Sequence, residues 1–305
     1  MLLGERQHRQ WIAVGTPTMT LIETRRVTMA PGMTFDVSVG GTPDAPLVLM
    51  LHGFGVSRFS WSALVATLPT HGFFAAAPNQ RGYSPDARPD PAVHANYRLD
   101  LLIADALDLV AALGHTDRRF HLVGHDWGGS IAWEIADRYP ERLGSITILS
   151  RPHPLSFNRA LAQDSDQGRR SGHHSRFLDP NAGPDILADN AKWLRTRLTA
   201  NGVPAAAIEK HISVIGNPPA MESALAWYRA RGVRHAPVGR TKVPTLYIWG
   251  DADDTVGGMA AEGTGDFIDA PYQFVALPGV GHFVADQAPG PVSDLLLVHV
   301  SRHAV

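Results

Sequence analysis

The sequence predicts an α/β fold in which a mainly parallel, doubly wound sheet carries an inserted helical cap. Three observations lead there. Short continuous apolar runs such as Leu47–Leu51 alternate with stretches whose apolar residues recur at helical spacing, as a parallel sheet covered on both faces requires. One run, Phe120 to Val123, stops at a Gly-x-x-x-Gly turn, Gly124 to Gly128, from which a helical pattern begins at once. From Arg151 to about His235 the strand patterns give way to helical pieces broken by Gly and Pro, and a buried strand returns only at Pro244–Trp249. The expected division is a first part of the core over residues 1–150, a helical cap or lid over 151–235, and a second part of the core over 236–305.

In chain order, residues 1–20 show no convincing period and read as an arm. Two β-like stretches between Leu21 and Val39 flank Pro31-Gly32, an expected turn between antiparallel strands. Pro46–Leu51 reads as a doubly buried strand, followed by His52-Gly53-Phe54-Gly55 and a helix over Trp61–Leu68. A strand over Phe73–Ala77 leads into the turn-rich Pro78–Ser84. Leu99, Leu102, Ile103, Ala106, Leu109, Val110 and Leu113 then mark a helix that stops at Gly114. After the Gly124–Gly128 turn, the helix through Ile131 and Ile135 ends before Pro140, and Ile146–Leu149 is another strand. Within the cap, Pro218-Pro219 opens a helix with Met221, Leu225 and Tyr228 on one stripe, stopping near Gly232. The short strand Tyr272–Leu277 precedes the Gly-rich loop Pro278–Phe283.

Composition narrows the class. The chain has 305 residues, enough for one large domain with an insertion. Lys plus Arg number 27 against 29 Asp plus Glu, so there is no basic excess to attract nucleic acid or an anionic membrane. There are no cysteines, hence no disulfide, thiolate metal site or cysteine nucleophile. The start lacks a basic region followed by a sustained apolar core, and no apolar run approaches the ~18 residues of a membrane span, so a cytoplasmic location is expected. His121 and His125 lie on a strand and its turn, and His299 and His303 have no third ligand in view, so no metal site is expected. A homodimer is left open.

A strand, a tight turn and a helix with a reactive side chain at the apex form a nucleophile elbow, where the residue is usually Ser. Here it is Asp126. A carboxylate attacking an sp3 carbon becomes an alkyl ester that water can cleave at the carboxylate's own carbonyl carbon, so strained or activated C–O and C–halogen bonds are its targets. A non-catalytic scaffold that only binds a ligand is the alternative. Cleaving such an ester needs a base for water, and His282 follows the nucleophile in the required order. Of the carboxylates in Gly250-Asp251-Ala252-Asp253-Asp254, Asp253 is taken as the acid that orients the imidazole; Asp251 and Asp254 are assigned to capping or solvent. Ser150-Arg151-Pro152, the other place for such an acid, has no carboxylate.

Taken together, His52-Gly53-Phe54, Arg81-Gly82-Tyr83-Ser84, Gly124–Gly129, Pro152-His153-Pro154, Trp227-Tyr228-Arg229 and Gly281-His282-Phe283 resemble the epoxide hydrolase branch of the α/β-hydrolases. The resemblance runs from about Thr28 to the end and implies the α/β-hydrolase fold, no cofactor, and an epoxide and water as substrates. It also implies an oxyanion hole from the backbone N–H groups of Phe54 and Trp127, which would contact substrate as well. In such enzymes two lid groups, usually tyrosines, donate hydrogen bonds to the epoxide oxygen. Tyr228 matches one of them, although its stripe also suits a core aromatic; the other position holds His173, with His174 adjacent, as in a His/Tyr subgroup. Haloalkane dehalogenases resemble the same elbow and remain the alternative. Phe54 in place of an Asn halide donor, and the acidic Tyr228, lean toward epoxides.

Overall fold

The computed structural model describes residues 22–29, 32–230, 238–303 and 305. The expected N-terminal arm, Pro31 of the first turn, the helix stop near Gly232 and the cap boundary at 235 lie outside the described residues.

Eight strands form one sheet: β1 (Glu23–Met29), β2 (Met33–Gly40), β3 (Leu47–Leu51), β4 (Phe74–Pro78), β5 (Phe120–His125), β6 (Leu143–Leu149), β7 (Thr245–Gly250) and β8 (Tyr272–Leu277). Their spatial order is β1-β2-β4-β3-β5-β6-β7-β8. β1 pairs with β2 and β2 with β4 antiparallel; every other pairing is parallel. The continuous apolar runs are explained by the pleat. In β3, Leu47, Leu49 and Leu51 enter one hydrophobic cluster while Val48 and Met50 enter the other, and β7 divides Tyr247 and Trp249 from Leu246 and Ile248 in the same way.

Each face has its helices. α1 (Ser62–Thr67), flanked by 3-10 turns, supplies Leu64 and Val65 to one cluster. α2 (Leu99–Ala112) and α3 (Trp127–Arg138) supply Leu102, Leu109, Ile131 and Ile135 to the other. Between β6 and β7 the chain is helical: α4 (Pro154–Gln163), α5 (Ser165–Arg170), α6 (His173–Arg176), α7 (Ala182–Ala200), α8 (Ala205–Ile215) and α9 (Pro218–Arg229). α7 is interrupted at Ala188–Ala191, where Asp189, Asn190 and Ala191 take left-handed backbone angles. α10 (Gly258–Glu262), α11 (Val284–Gln287) and α12 (Pro289–Ser301) complete the chain, and Val292, Leu296 and Val300 of α12 join the α1 side.

Local chemistry explains two joints of the helical insertion. His153 accepts from the Leu155 N–H at 3.2 Å and its other ring nitrogen donates to the Gly239 carbonyl at 3.1 Å, so Pro152-His153-Pro154 pins the start of α4 to the core. Asn217 caps α9, its Oδ1 accepting from the Ala220 N–H at 3.1 Å, with Pro218 and Pro219 in the first turn where no amide partner is needed. Trp227 then donates from Nε1 to the Arg81 carbonyl at 3.1 Å, which ties α9 to the Pro78–Ser84 turn. No helix among the described residues is long and apolar enough to cross a membrane.

Candidate active site

Asp126 sits at the end of β5 with φ 50° and ψ −112°, a sparsely populated conformation for a residue with a Cβ, costing ~1–3 kcal/mol. The turn is over-determined by the β5–α3 packing, and it lifts the carboxylate out of the sheet. Gly53 makes the approach possible, because a Cβ there would overlap the Asp126 side chain. The neighbouring Phe54 N–H donates to Asp126 Oδ1 at 2.9 Å. His52 holds that loop: its Nδ1–H donates to the Gly53 carbonyl at 3.0 Å, and its Nε2 accepts the Gln80 N–H at 3.2 Å. Burial keeps His52 neutral, its pKa lowered to about 3.

His282 comes from the loop after β8, and its Nδ1 faces both carboxylate oxygens of Asp253, at 3.1 and 3.0 Å. Asp253 is fully buried and also accepts the amides of Thr255 at 2.7 Å and Val256 at 3.0 Å. Held in place by two amides, this carboxylate fixes the imidazole tautomer, so Nε2 is the nitrogen left for chemistry. That Nε2 lies 3.9 Å from Asp126 Oδ2, past hydrogen-bond reach. Burial lowers the His282 pKa, but the charge and hydrogen bond of Asp253 and the charge of Asp126 outweigh it and raise the pKa above the ordinary histidine value. Burial raises the Asp126 carboxyl, yet His282, His125 and the Phe54 amide more than reverse this, leaving it well below the usual carboxylate range.

Asp251 and Asp254 point elsewhere. Asp251 accepts the Gly279 N–H at 2.7 Å, and Asp254 meets Arg197 at 3.4 Å.

Asp126, His282, Phe54, His173 and Tyr228 line one pocket, together with Phe177, Leu194, Arg197, Thr255 and Phe283. Its free space is about 10 Å³, roughly that of a single water. Tyr228 is 4% exposed and packs edge-on against Phe54 at 5.4 Å, Trp127 at 5.2 Å and Phe177 at 4.9 Å, so it is at once a core aromatic and a pocket wall. Trp127 does not line this pocket through its ring; the indole borders a neighbouring cavity instead. His174 is likewise absent from the pocket wall.

His173 departs from the donor expected of it. Its Nδ1 lies 3.0 Å from the Arg170 carbonyl, which can only accept, so Nδ1 carries the proton. Burial and then Arg197 lower its pKa to about 4, so at neutral pH the ring is uncharged and Nε2 presents a lone pair. As a neutral group His173 accepts hydrogen bonds; Tyr228, with its O–H, donates.

Several contributors had no local signal in the sequence. Asn201, just after α7, accepts the His282 N–H at 2.9 Å, and His125 donates from Nε2 to the His282 carbonyl at 2.9 Å, so the backbone of the histidine loop is gripped from both sides. Gln167 of α5 donates to the Thr255 carbonyl at 3.0 Å and accepts the Gly257 N–H at 2.9 Å, bracing the Asp253 turn. Arg170 donates to the Asp253 carbonyl. Among the described residues no group of three or more His, Cys, Asp or Glu could hold a metal ion.

The comparisons agree with this architecture. Epoxide hydrolase 4 of Mus musculus is 28% identical over 279 residues, spanning 87% of this chain and 76% of that protein. A fluoroacetate dehalogenase of a Burkholderia species is 28% identical over 292 residues, spanning 89% of this chain and 92% of the relative. A solved structure, described among novel epoxide hydrolases from metagenomes of hot environments, superposes with a TM-score of 0.81 at 29% identity, covering 93% of this chain and all of its own. A family model of the alpha/beta hydrolase fold matches residues 46–289, and the chain belongs to that family.

Proposed function

We propose that this protein is an epoxide hydrolase that opens an oxirane through an alkyl ester on Asp126. The observation that carries the reading is a carboxylate at the elbow, touched by the Phe54 amide on Oδ1 and faced from the Oδ2 side by the Asp253-held His282. Asp126 Oδ2 attacks a ring carbon and the C–O bond breaks. The Tyr228 O–H hydrogen-bonds the departing alkoxide and gives it a proton, with His173 Nε2 accepting hydrogen bonds at the same wall. His282 Nε2 then takes a proton from water, whose oxygen adds to Asp126 Cγ. The oxyanion forms on Oδ1, held by the Phe54 and Trp127 amides; its collapse breaks the Cγ–Oδ2 bond, the His282 imidazolium gives its proton to the leaving oxygen, the second proton of the water returns to the Tyr228 phenolate, and the diol leaves behind a carboxylate. The helical insertion of residues 154–229 serves as the lid that brings Tyr228 and His173 over the nucleophile. The substrates are a small-molecule epoxide and water.

Haloalkyl substrates are the second reading, favoured by the likeness to a fluoroacetate dehalogenase. The deciding experiment is a turnover screen of small epoxides against small alkyl bromides, followed by single turnover in water labelled with heavy oxygen. Diol formation with label in the Asp126 peptide supports the proposal. Bromide turnover without epoxide turnover, or diol formed with Asp126 unlabelled, would overturn it.

A further inference from the structure

Across the Trp127–Tyr228 contact from the catalytic pocket lies a cavity of about 180 Å³, bordered by Tyr97, Trp127, Ser130, Glu134, Trp227 and Arg151. Most of its wall is apolar and buried: Tyr97, Trp127 and Trp227 are each 5% exposed or less. The catalytic pocket itself has only about 10 Å³ free, and this cavity meets it across the Trp127–Tyr228 contact.

Arg151 is the unusual member of that wall. It stands two residues past the end of β6, after Ser150 at φ 50°. Its stem crosses the first turn of α3, where Gly129 leaves the space; a Cβ there would come within 2.7 Å of Arg151 Cβ. The guanidinium lies over the Phe157 ring, 4.8 Å from its centroid, and Nε is buried without a hydrogen-bond partner. Burial lowers the pKa of Arg151, and the groups that oppose this are Asp126, Tyr228 and Tyr247. Glu134 on the same cavity is paired with Arg138. Arg151 is partly buried, and a guanidinium with an unmatched N–H favours an anion; a planar carboxylate is the anion its fork fits.

We infer that the cavity beside Trp127 is a subsite for a substrate carboxylate, bound by Arg151 while the oxirane of the same molecule lies at Asp126. The inference rests on the epoxide hydrolase reading and narrows its substrate class to short epoxy acids. Arg151 acts here as a specificity-determining residue.

The test compares epoxypentanoate, its oxirane at the end of the chain away from the carboxylate, with the corresponding epoxypentanamide. The parent protein should favour the acid in kcat/KM by about tenfold or more, the worth of one charge-assisted pair, chiefly through KM. Arg151→Gln should erase that preference and Arg151→Lys should retain part of it. A second measurement avoids turnover. Asp126→Ala, which cannot be alkylated, is titrated calorimetrically with pentanoate and with pentanamide, alone and with Arg151→Gln added. Pentanoate binding that disappears with Arg151→Gln supports the subsite even if no epoxide is turned over, in which case the epoxide reading alone falls. Epoxide turnover with acid and amide equal in the parent protein overturns the subsite and leaves the epoxide reading standing. Pentanoate binding lost on Arg197→Gln but kept on Arg151→Gln also overturns it, since the anion then sits in the catalytic pocket.

Discussion

His211 Nε2 lies 3.1 Å from Asp286 Oδ1, a fully buried contact that joins α8 of the helical insertion to the short helix immediately after His282. Ser57, three residues past Phe54, meets the other ring nitrogen of His211 at 2.9 Å, and Ser60 donates to Asp286 Oδ2 at 2.7 Å. The insertion, the Phe54 loop and the His282 loop therefore share one polar network with both carboxylate oxygens occupied.

Breaking this network should cost stability and also disturb the site. Asp286→Ala leaves His211 and Ser60 without their acceptor and should cost about 3 kcal/mol in urea unfolding, against about 1 kcal/mol for Ser57→Ala. Burial raises the Asp286 carboxyl, but the charge and hydrogen bond of His211 and the bond from Ser60 prevail and its pKa is lowered. A carboxyl lowered on folding stabilises fully above its unfolded value of about 3.9 and loses that contribution as pH falls through its folded value. Asp286→Asn should thus flatten the acid limb of the stability curve below about pH 4. An unchanged acid limb would remove Asp286 from this role.

The His282 pKa should report on Asp126. Because the Asp126 charge helps to raise it, Asp126→Ala should lower the His282 pKa seen by imidazole NMR titration. Esterification removes the same charge, so His282 should become a free base more readily once the ester exists, and ester hydrolysis should rise with pH through a limb below the free enzyme's His282 pKa. A limb at or above that pKa contradicts the scheme.

Timing separates the two catalytic halves. His282→Gln and Asp253→Asn should leave ring opening largely intact and let a stable adduct accumulate on Asp126, visible by intact-protein mass spectrometry. Asp251→Asn and Asp254→Asn should accumulate none, since their carboxylates hold Gly279 and Arg197 rather than the imidazole.

Donation to the epoxide oxygen should fall on Tyr228 rather than His173. Tyr228→Phe keeps the ring packing with Phe54, Trp127 and Phe177 but removes the O–H, and should slow ester formation from an epoxide by about a hundredfold while sparing an alkyl bromide. His173→Ala should slow it less, and its effect should not grow toward high pH, since the ring is already neutral above its pKa of about 4. Pre-steady-state ester formation across pH decides the matter; a His173→Ala defect as large as that of Tyr228→Phe would restore the imidazole as a donor.

Chain order and local pattern were enough to read the sheet, the elbow and the helical stretch between β6 and β7, because each is encoded by contiguous residues. A pleat buried on both faces demands continuous apolar runs, and a strand-to-helix turn demands the glycines around Asp126. Candidate roles for His282 and Asp253 were legible for the same reason, each lying in a loop just after a strand. The rest depended on contacts between distant segments. Asn201 supports His282 from 81 residues away, His211 meets Ser57 across 154, and Ser60 meets Asp286 across 226. Nothing local in α7 or α8 marks those side chains. The protonated nitrogen of His173 follows from a carbonyl one turn earlier, and the setting of Arg151 from the Phe157 ring it lies over. Burial and hydrogen-bond geometry assign such roles, and both are properties of the packed chain rather than of any stretch of it.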